Sequence, residues 1–322
     1  MTQQNFVNRR LQLWDKIEGV VNGGRKEIKI QAAWFPKAFR ELTQDLNTAR
    51  AHGFDPALIE RLNRLVLEGN QLLYGQRSFS FRKFSDFVLN TFPCAIRDSW
   101  KGIAIAHLIF YGIIFFTIAL CLQFPDFVYE VIPENMAREL EIMYNPESMH
   151  FLIPRNVSSD ADMFGFYIYN NISIAFRTFA GGIIIGVGSL FILSFNALFL
   201  GAATAHIINK GFSETFFPFI IGHGSFELSA IIICAYAGLI LGYRLFVTKG
   251  LTRQASLRIA GKTALPLITG SVILLVIAAV IEAFWSSKHQ IPITIRYSMG
   301  AAGWLLLYLY FIFMGRKHDR IS

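Results

Sequence analysis

Apolar positions recur at helical spacing through the first quarter of the chain and then give way to long apolar runs. Phe6, Leu11, Leu13, Trp14, Ile17, Val20 and Val21 follow one helical period, which predicts a helix closed by Gly23-Gly24. A second helix is predicted from about Ile30 to Ala51, closed by His52-Gly53. Asp55-Pro56 reads as a cap followed by a first-turn proline, and Leu58, Ile59, Leu62, Leu65, Val66, Leu72 and Leu73 carry a third helix. Over 78–101, phenylalanines alternate with basic residues. Phe81, Phe84, Phe87 and Phe92 can share one face, away from Arg82, Lys83 and Arg97. Because an apolar run follows at once, this segment is predicted to be an elbow helix lying at a membrane interface.

Gly102–Leu122 holds 21 residues without a formal charge, about 30 Å of helix and enough to span a bilayer. Further spans are predicted at about 174–200, 264–285 and 299–314. The expected fold class is all-α: a polytopic helical membrane protein with a cytoplasmic helical region over 1–101 and a transmembrane domain over 102–322. A polar extracytoplasmic loop over 124–170 separates the first two spans, with a short helix around Glu134–Tyr144.

Composition agrees with this pattern. The 322 residues are 53% hydrophobic and 16% charged, with a mean hydropathy of +0.43. The net charge of +8 would suit nucleic acid in a soluble protein. In a membrane protein, basic loops report topology and contact with anionic lipid, and no nucleic-acid-binding motif accompanies them, so nucleic acid is not an expected partner. The start MTQQNFVNRR has no apolar core, so no cleavable signal is expected. Cys94, Cys121 and Cys234 lie far apart in apolar settings, which fits packing rather than disulfides or a metal knuckle.

Charge changes the topology. Residues 1–101 hold 16 basic and 10 acidic residues; residues 124–170 hold two basic and eight acidic. The first region is therefore expected inside and the loop outside. Residues 244–263 carry Arg244, Lys249, Arg253, Arg258 and Lys262 with no acid, and the C-terminal tail is basic. A single crossing by Phe216–Tyr243 would leave both outside. A re-entrant broken-helix hairpin over about 213–243, turning at Gly222-His223-Gly224, returns both to the inside. The expectation is four full spans plus this hairpin, with both termini cytoplasmic.

The same stretch carries the candidate chemistry. His223 and Glu227 are costly at membrane depth and mark a functional hypothesis there. Their spacing of four puts them on one helix face. Glu282 and Arg177 are candidate charge partners, and Asn196 is a further polar group on a protein-facing surface. The pairs Gly182/Gly186 and Gly238/Gly242 allow close helix approach and leave room for a homodimer.

The run GHGSFELSAIIICAYAGLILGYRL resembles the signature of the stage II sporulation protein M family. Other points of likeness are Asn170-Asn171 before a glycine-rich span, Asn196 followed by Leu200-Gly201, and LNRLV and Phe92-Pro93 ahead of the first span. Ser225 and Ser229 stand where that family often has apolar residues or proline. The resemblance implies signature positions at Asn170, Asn171, Asn196, Gly201, His223, Gly224 and Glu227. It also implies a multi-pass place in a bacterial inner membrane, in an envelope complex, and no enzymatic activity.

The expected function is thus a non-enzymatic membrane component of a bacterial envelope complex, scaffold- or channel-like, with lipids and other envelope proteins as partners. Two alternatives remain at this level: a proton-coupled transporter, or an intramembrane enzyme using His223 and Glu227. The zinc pattern HExxH needs two histidines on one face, and only His206 lies nearby. The hydrolase pattern GxSxG is absent. No catalytic residue, metal or cofactor is therefore expected.

Overall fold

The computed structural model describes residues 2–30, 34–74, 81–148, 157–184, 186–288 and 290–316. They form two compact units, residues 1–81 and 82–322, and among the described residues every regular element is helical.

The first unit contains α1 (Gln3–Ile30), α2 (Phe35–Ala51) and α3 (Pro56–Tyr74). Helix α1 runs through Gly23-Gly24, which the sequence reading treats as its end; two helical glycines cost about 1 kcal/mol each against alanine and do not force a stop. Helix α2 begins after Trp34, with proline in its first turn, where the missing N–H is not needed. Trp14, Ile17, Phe35, Leu42, Leu62 and Leu65 make the core. Asp45 is buried within it and accepts hydrogen bonds from Trp14 Nε1 (2.9 Å) and Arg10 Nε (2.8 Å). Asp45→Ala is expected to destabilise this unit by about 1–3 kcal/mol, since it orphans the buried Trp14 indole N–H and leaves the Arg10 guanidinium only Glu41 (3.1 Å) as a counter-charge. Hydrogen exchange over residues 3–74 of the full chain measures that loss; unchanged protection would contradict it.

The second unit opens with the elbow. It comprises α4 (Phe81–Asp86), a π turn (Phe87–Thr91) and α5 (Phe92–Asp98). Phe92 and Ile96 pack with Leu267, Leu274 and Leu307, so this segment is built into the same core as the spans.

Next come α6 (Trp100–Gln123), α7 (Val128–Val131), α8 (Glu134–Tyr144), α9 (Val157–Ala180), α10 (Val187–Asn209), α11 (Ser213–Phe246), α12 (Arg253–Ile281, extended by a π turn over Glu282–Ser286) and α13 (Ile293–Phe313). Five described helices, α6, α10, α11, α12 with its π turn, and α13, are long and apolar enough to cross a membrane. Their outward sides carry Leu108, Phe115, Phe191 and Leu306, all well exposed. An apolar belt of this kind belongs against lipid rather than water.

Contacts between helix ends give the direction of each pass. At one end of the unit, the start of α6 meets α11 where Gly102 faces the Tyr236 ring, and Ser256 Oγ donates to Arg244 O (2.7 Å). At the same end, Arg97 Nη1 donates to Phe311 O (3.0 Å). At the opposite end, Asn209 Nδ2 donates to Cys121 O (3.3 Å), Thr215 Oγ1 donates to Tyr144 O (2.5 Å), and Lys288 pairs with Asp160 (2.5 Å). Glu141 of α8 also lies there, beside His206 (2.9 Å) and Lys210 (3.0 Å). Partial burial pushes its carboxyl up, but the hydrogen bonds and charges of Lys210 and His206 outweigh that and hold it below the usual carboxylate range.

These contacts correct two expectations. The run 174–200 is not one span. Helix α9 starts beside Lys288, runs about 36 Å to the basic end, and stops at Ala180. The chain then reverses through a 3-10 turn (Gly181–Ile183) and Gly186, whose φ is +79°, and α10 runs back. Conversely, the expected re-entrant hairpin over 213–243 is absent: α11 is one continuous helix of 34 residues through Gly222-His223-Gly224. Neither Gly222 nor Gly224 has positive φ. Pro218 forfeits one bond in the second turn without ending the helix. The reversal that charge counting demands therefore lies one helix earlier, at the glycines of 181–186. The basic segment 244–263 still returns to the end at which the chain enters the unit.

The turn is fixed by small residues. Gly182 lies on the backbone of Gly238, Gly242 lies on Gly182 and Gly186, and Ser189 Oγ donates to Thr178 O (2.6 Å) across the reversal. The two glycine pairs singled out as dimer surfaces thus meet each other inside one chain.

Candidate functional site

His223 lies ten residues into α11, about 15 Å along the axis from Ser213. Glu227 follows one turn later on the same face, with His223 Nε2 and Glu227 Oε2 3.7 Å apart. The third member comes from α12. Its last turn widens into the π form over Glu282–Ser286, a local distortion frequent at functional sites. The wider turn lets Glu282 and Ser286 both face α11. Glu282 Oε1 stands 4.0 Å from His223 Nε2, and Ser286 Oγ stands 3.2 Å from His223 Nδ1. Gly222 makes this approach possible, because a Cβ there would strike the Trp285 ring. His223 is 5% exposed and Glu282 8%.

The cluster borders a cavity of ≈ 410 Å³. Asn170 and Asn171 of α9 line it, with Asn170 Nδ2 donating to Asn171 Oδ1 (3.2 Å). Asn171 is 2% exposed, and its Nδ2 has no hydrogen-bond partner in the structure; the same holds for the Tyr111 hydroxyl on another wall. The described lining includes two carboxyl groups and no lysine or arginine. It is thus an acceptor-rich pocket with spare donors on its far side, built inside an apolar bundle. Buried polar groups of this kind need partners, water or a bound ligand to offset desolvation.

Of the positions singled out from sequence, the structure brings together His223, Gly224, Glu227, Glu282, Asn170 and Asn171. The others lie elsewhere. Arg177 is exposed, beyond the cavity toward the basic end of α9. Asn196 Nδ2 donates to its own helix at Ile192 O (2.7 Å). Gly201 lets α10 close onto Thr117 and Ile114 of α6. Gly182, Gly186, Gly238 and Gly242 form the turn contact already described. Ser286, Tyr111 and Trp304 escape the sequence reading. Ser286 carries one usable signal, its spacing of four from Glu282; the two aromatics carry none.

Comparison with known protein families gives two matches. The family model described as stage II sporulation protein M matches residues 105–287, which include the whole cluster and its π turn. A second model, described as a domain of unknown function (DUF8413), matches residues 4–75, the first helical unit. The chain matches none of the curated proteins and none of the solved structures with which it was compared.

Proposed function

The chain belongs to the stage II sporulation protein M family, and on that footing we propose that it is a non-enzymatic component of a bacterial envelope complex in the inner membrane. It is a multi-pass membrane protein, from a family not known for enzymatic activity. In this reading it acts as a scaffold- or channel-like subunit whose working part is the polar cavity. The observation that carries the reading is the largely buried cluster of His223, Glu227 and Glu282 bordering a cavity within the membrane unit. A protein that served only as an anchor would gain nothing from ionisable groups so costly to bury.

In the same reading the basic end faces the cytoplasm, by the positive-inside bias of Arg244, Lys249, Arg253, Arg258 and Lys262. The acidic end, with α7 and α8, faces out. Single cysteines placed at Lys249 and at Glu134, in a chain with its native cysteines replaced, are expected to react with impermeant reagent from opposite sides, Glu134 from outside. Labelling of both from one side would refute this arrangement, in which α9 crosses in addition to the five long apolar helices.

The envelope role is tested in cells. A photoreactive residue at Phe166, which is exposed and lines the cavity, is expected to cross-link to envelope proteins in the wild-type background. Glu227→Gln, inserted at equal level, is expected to reproduce the envelope defect of a deletion strain. Cross-links to lipid alone, together with a deletion strain of normal envelope integrity, would overturn the proposal.

A further inference from the structure

We infer that His223, Glu227 and Glu282 form a binding site for one divalent first-row metal ion, with Zn²⁺ as its representative. The inference deepens the role given above to the cavity and rests on that cavity being the working part of the protein.

One ligand atom from each of the three side chains falls within 4.8 Å of the other two. Ligand atoms around a tetrahedral Zn²⁺, at about 2.0–2.1 Å from the metal, stand roughly 3.3 Å apart. The observed separations of 3.7 and 4.0 Å from His223 Nε2, within a group whose atoms all lie inside 4.8 Å of one another, need side-chain closure of roughly 0.5–1.5 Å to reach that spacing. They are also too long for direct hydrogen bonds. His223 therefore does not satisfy the two carboxylates by donating to them; it stands beside them at the spacing of ligands around a common centre.

Ser286 Oγ lies 3.2 Å from His223 Nδ1, so a serine oxygen is in place to accept from Nδ1–H when Nε2 is given to a metal. A metal-binding histidine is held in this way, its second nitrogen donating to a fixed acceptor. One divalent ion would also neutralise both carboxylates.

The Asn171 amide, 2% exposed and unpartnered at Nδ2, lines the same cavity from α9. Three protein ligands leave a fourth position open on a zinc ion, and the cavity supplies the space for it. A water or anionic group bound there would accept a hydrogen bond from an amide on that wall. Mixed imidazole and carboxylate ligands favour Zn²⁺, Fe²⁺ or Mn²⁺ over Ca²⁺ or Mg²⁺, which take all-oxygen shells.

The test uses the full chain, purified in detergent, stripped of metal and titrated with Zn²⁺ against a chromophoric chelator. The expected result is one tightly held zinc per chain, not displaced by equimolar Mg²⁺. His223→Ala and Glu282→Gln are expected to weaken binding at least 100-fold. Ser286→Ala, a positioning change, is expected to weaken it about 10–100-fold. Glu227→Gln and Glu282→Gln preserve shape, and the metal-free melting profile reports whether each variant folds; a variant that does not is replaced by Glu227→Asp or Glu282→Asp, whose shortened reach is expected to weaken binding. A Co²⁺ derivative is expected to show ligand-field absorption that His223→Ala abolishes. Absence of zinc binding by the wild-type chain, displacement by Mg²⁺, or equal binding by all the ligand variants would overturn the inference. Its failure is separable from that of the envelope role: zinc held by a chain without envelope partners refutes only the role, and envelope partners without zinc refute only the site.

Discussion

Gly238→Leu is expected to abolish the folded second unit. A Cβ built on Gly238 would lie 2.2 Å from Ser189 Oγ and 2.5 Å from Phe179 O, and the Cβ of an alanine at Gly182 would lie 2.1 Å from Gly238 O. None of these neighbours is the free end of a flexible chain. Phe179 and Gly182 offer backbone at the end of α9, and Ser189 is held by its bond to Thr178 O. Overpacking of an ordinary core costs about 1–3 kcal/mol because side chains shift; here the helices themselves must separate. The separation would also undo the reversal at 181–186. The expected loss is therefore above about 3 kcal/mol, seen as aggregation or a collapsed melting transition in detergent. Gly182→Val is expected to behave alike. Gly224→Ala is the control: nothing lies within 4 Å of its added Cβ, and it should fold normally. Equal behaviour of Gly238→Leu and Gly224→Ala would contradict the packing.

Lys288→Met is the second large effect. Asp160 is buried at the start of α9, and Lys288 Nζ, 2.5 Å away, joins it to the end of the π turn. Removing the lysine leaves a carboxylate in a buried site, for which losses of about 3–5 kcal/mol are usual. Lys288 is about one-third exposed, so water reaches the pair and the lower end of that range applies, about 3 kcal/mol. Asp160→Asn in the Lys288→Met background is expected to recover part of it, because the amide needs no counter-charge. Thermal melts of the four chains give the coupling. Additive losses would mean that the pair contributes nothing to joining α9 to α12.

The contrast among glycines marks where the sequence is readable. The first and last spans, the short helix Glu134–Tyr144 and the cap at Asp55 follow from apolar period and turn chemistry, which are local. The placement of the reversal is not local. Gly182 and Gly186 beside a helix end, and Gly222 and Gly224 within one, look alike along the chain. What separates them is φ: Gly186 is left-handed, while Gly222 stays helical to admit Trp285. That choice is made by α11 and α12, not by flanking residues. The crossing parity was nevertheless legible, because basic residues report a side rather than a structure. The cluster was legible as a pair, His223 and Glu227, since four residues make one turn. Glu282 was legible as one of two candidate partners of that pair, with Arg177; the choice between them was not, because the π turn that aims Glu282 leaves no trace in the apolar period.

The left-handed turn at Gly186 has a consequence far from its own place. Every segment after it inherits its direction, so the turn works as a sign bit for the second half of the chain. With it, α10 runs toward the acidic loops, and His223, Glu227 and Glu282 sit nearer the acidic face than the basic one. Without it, α10 through α13 would thread in the opposite sense, and the same three side chains would lie nearer the other face. Which face the cavity lies toward is thus decided at the opposite end of the bundle, by a residue that touches none of them.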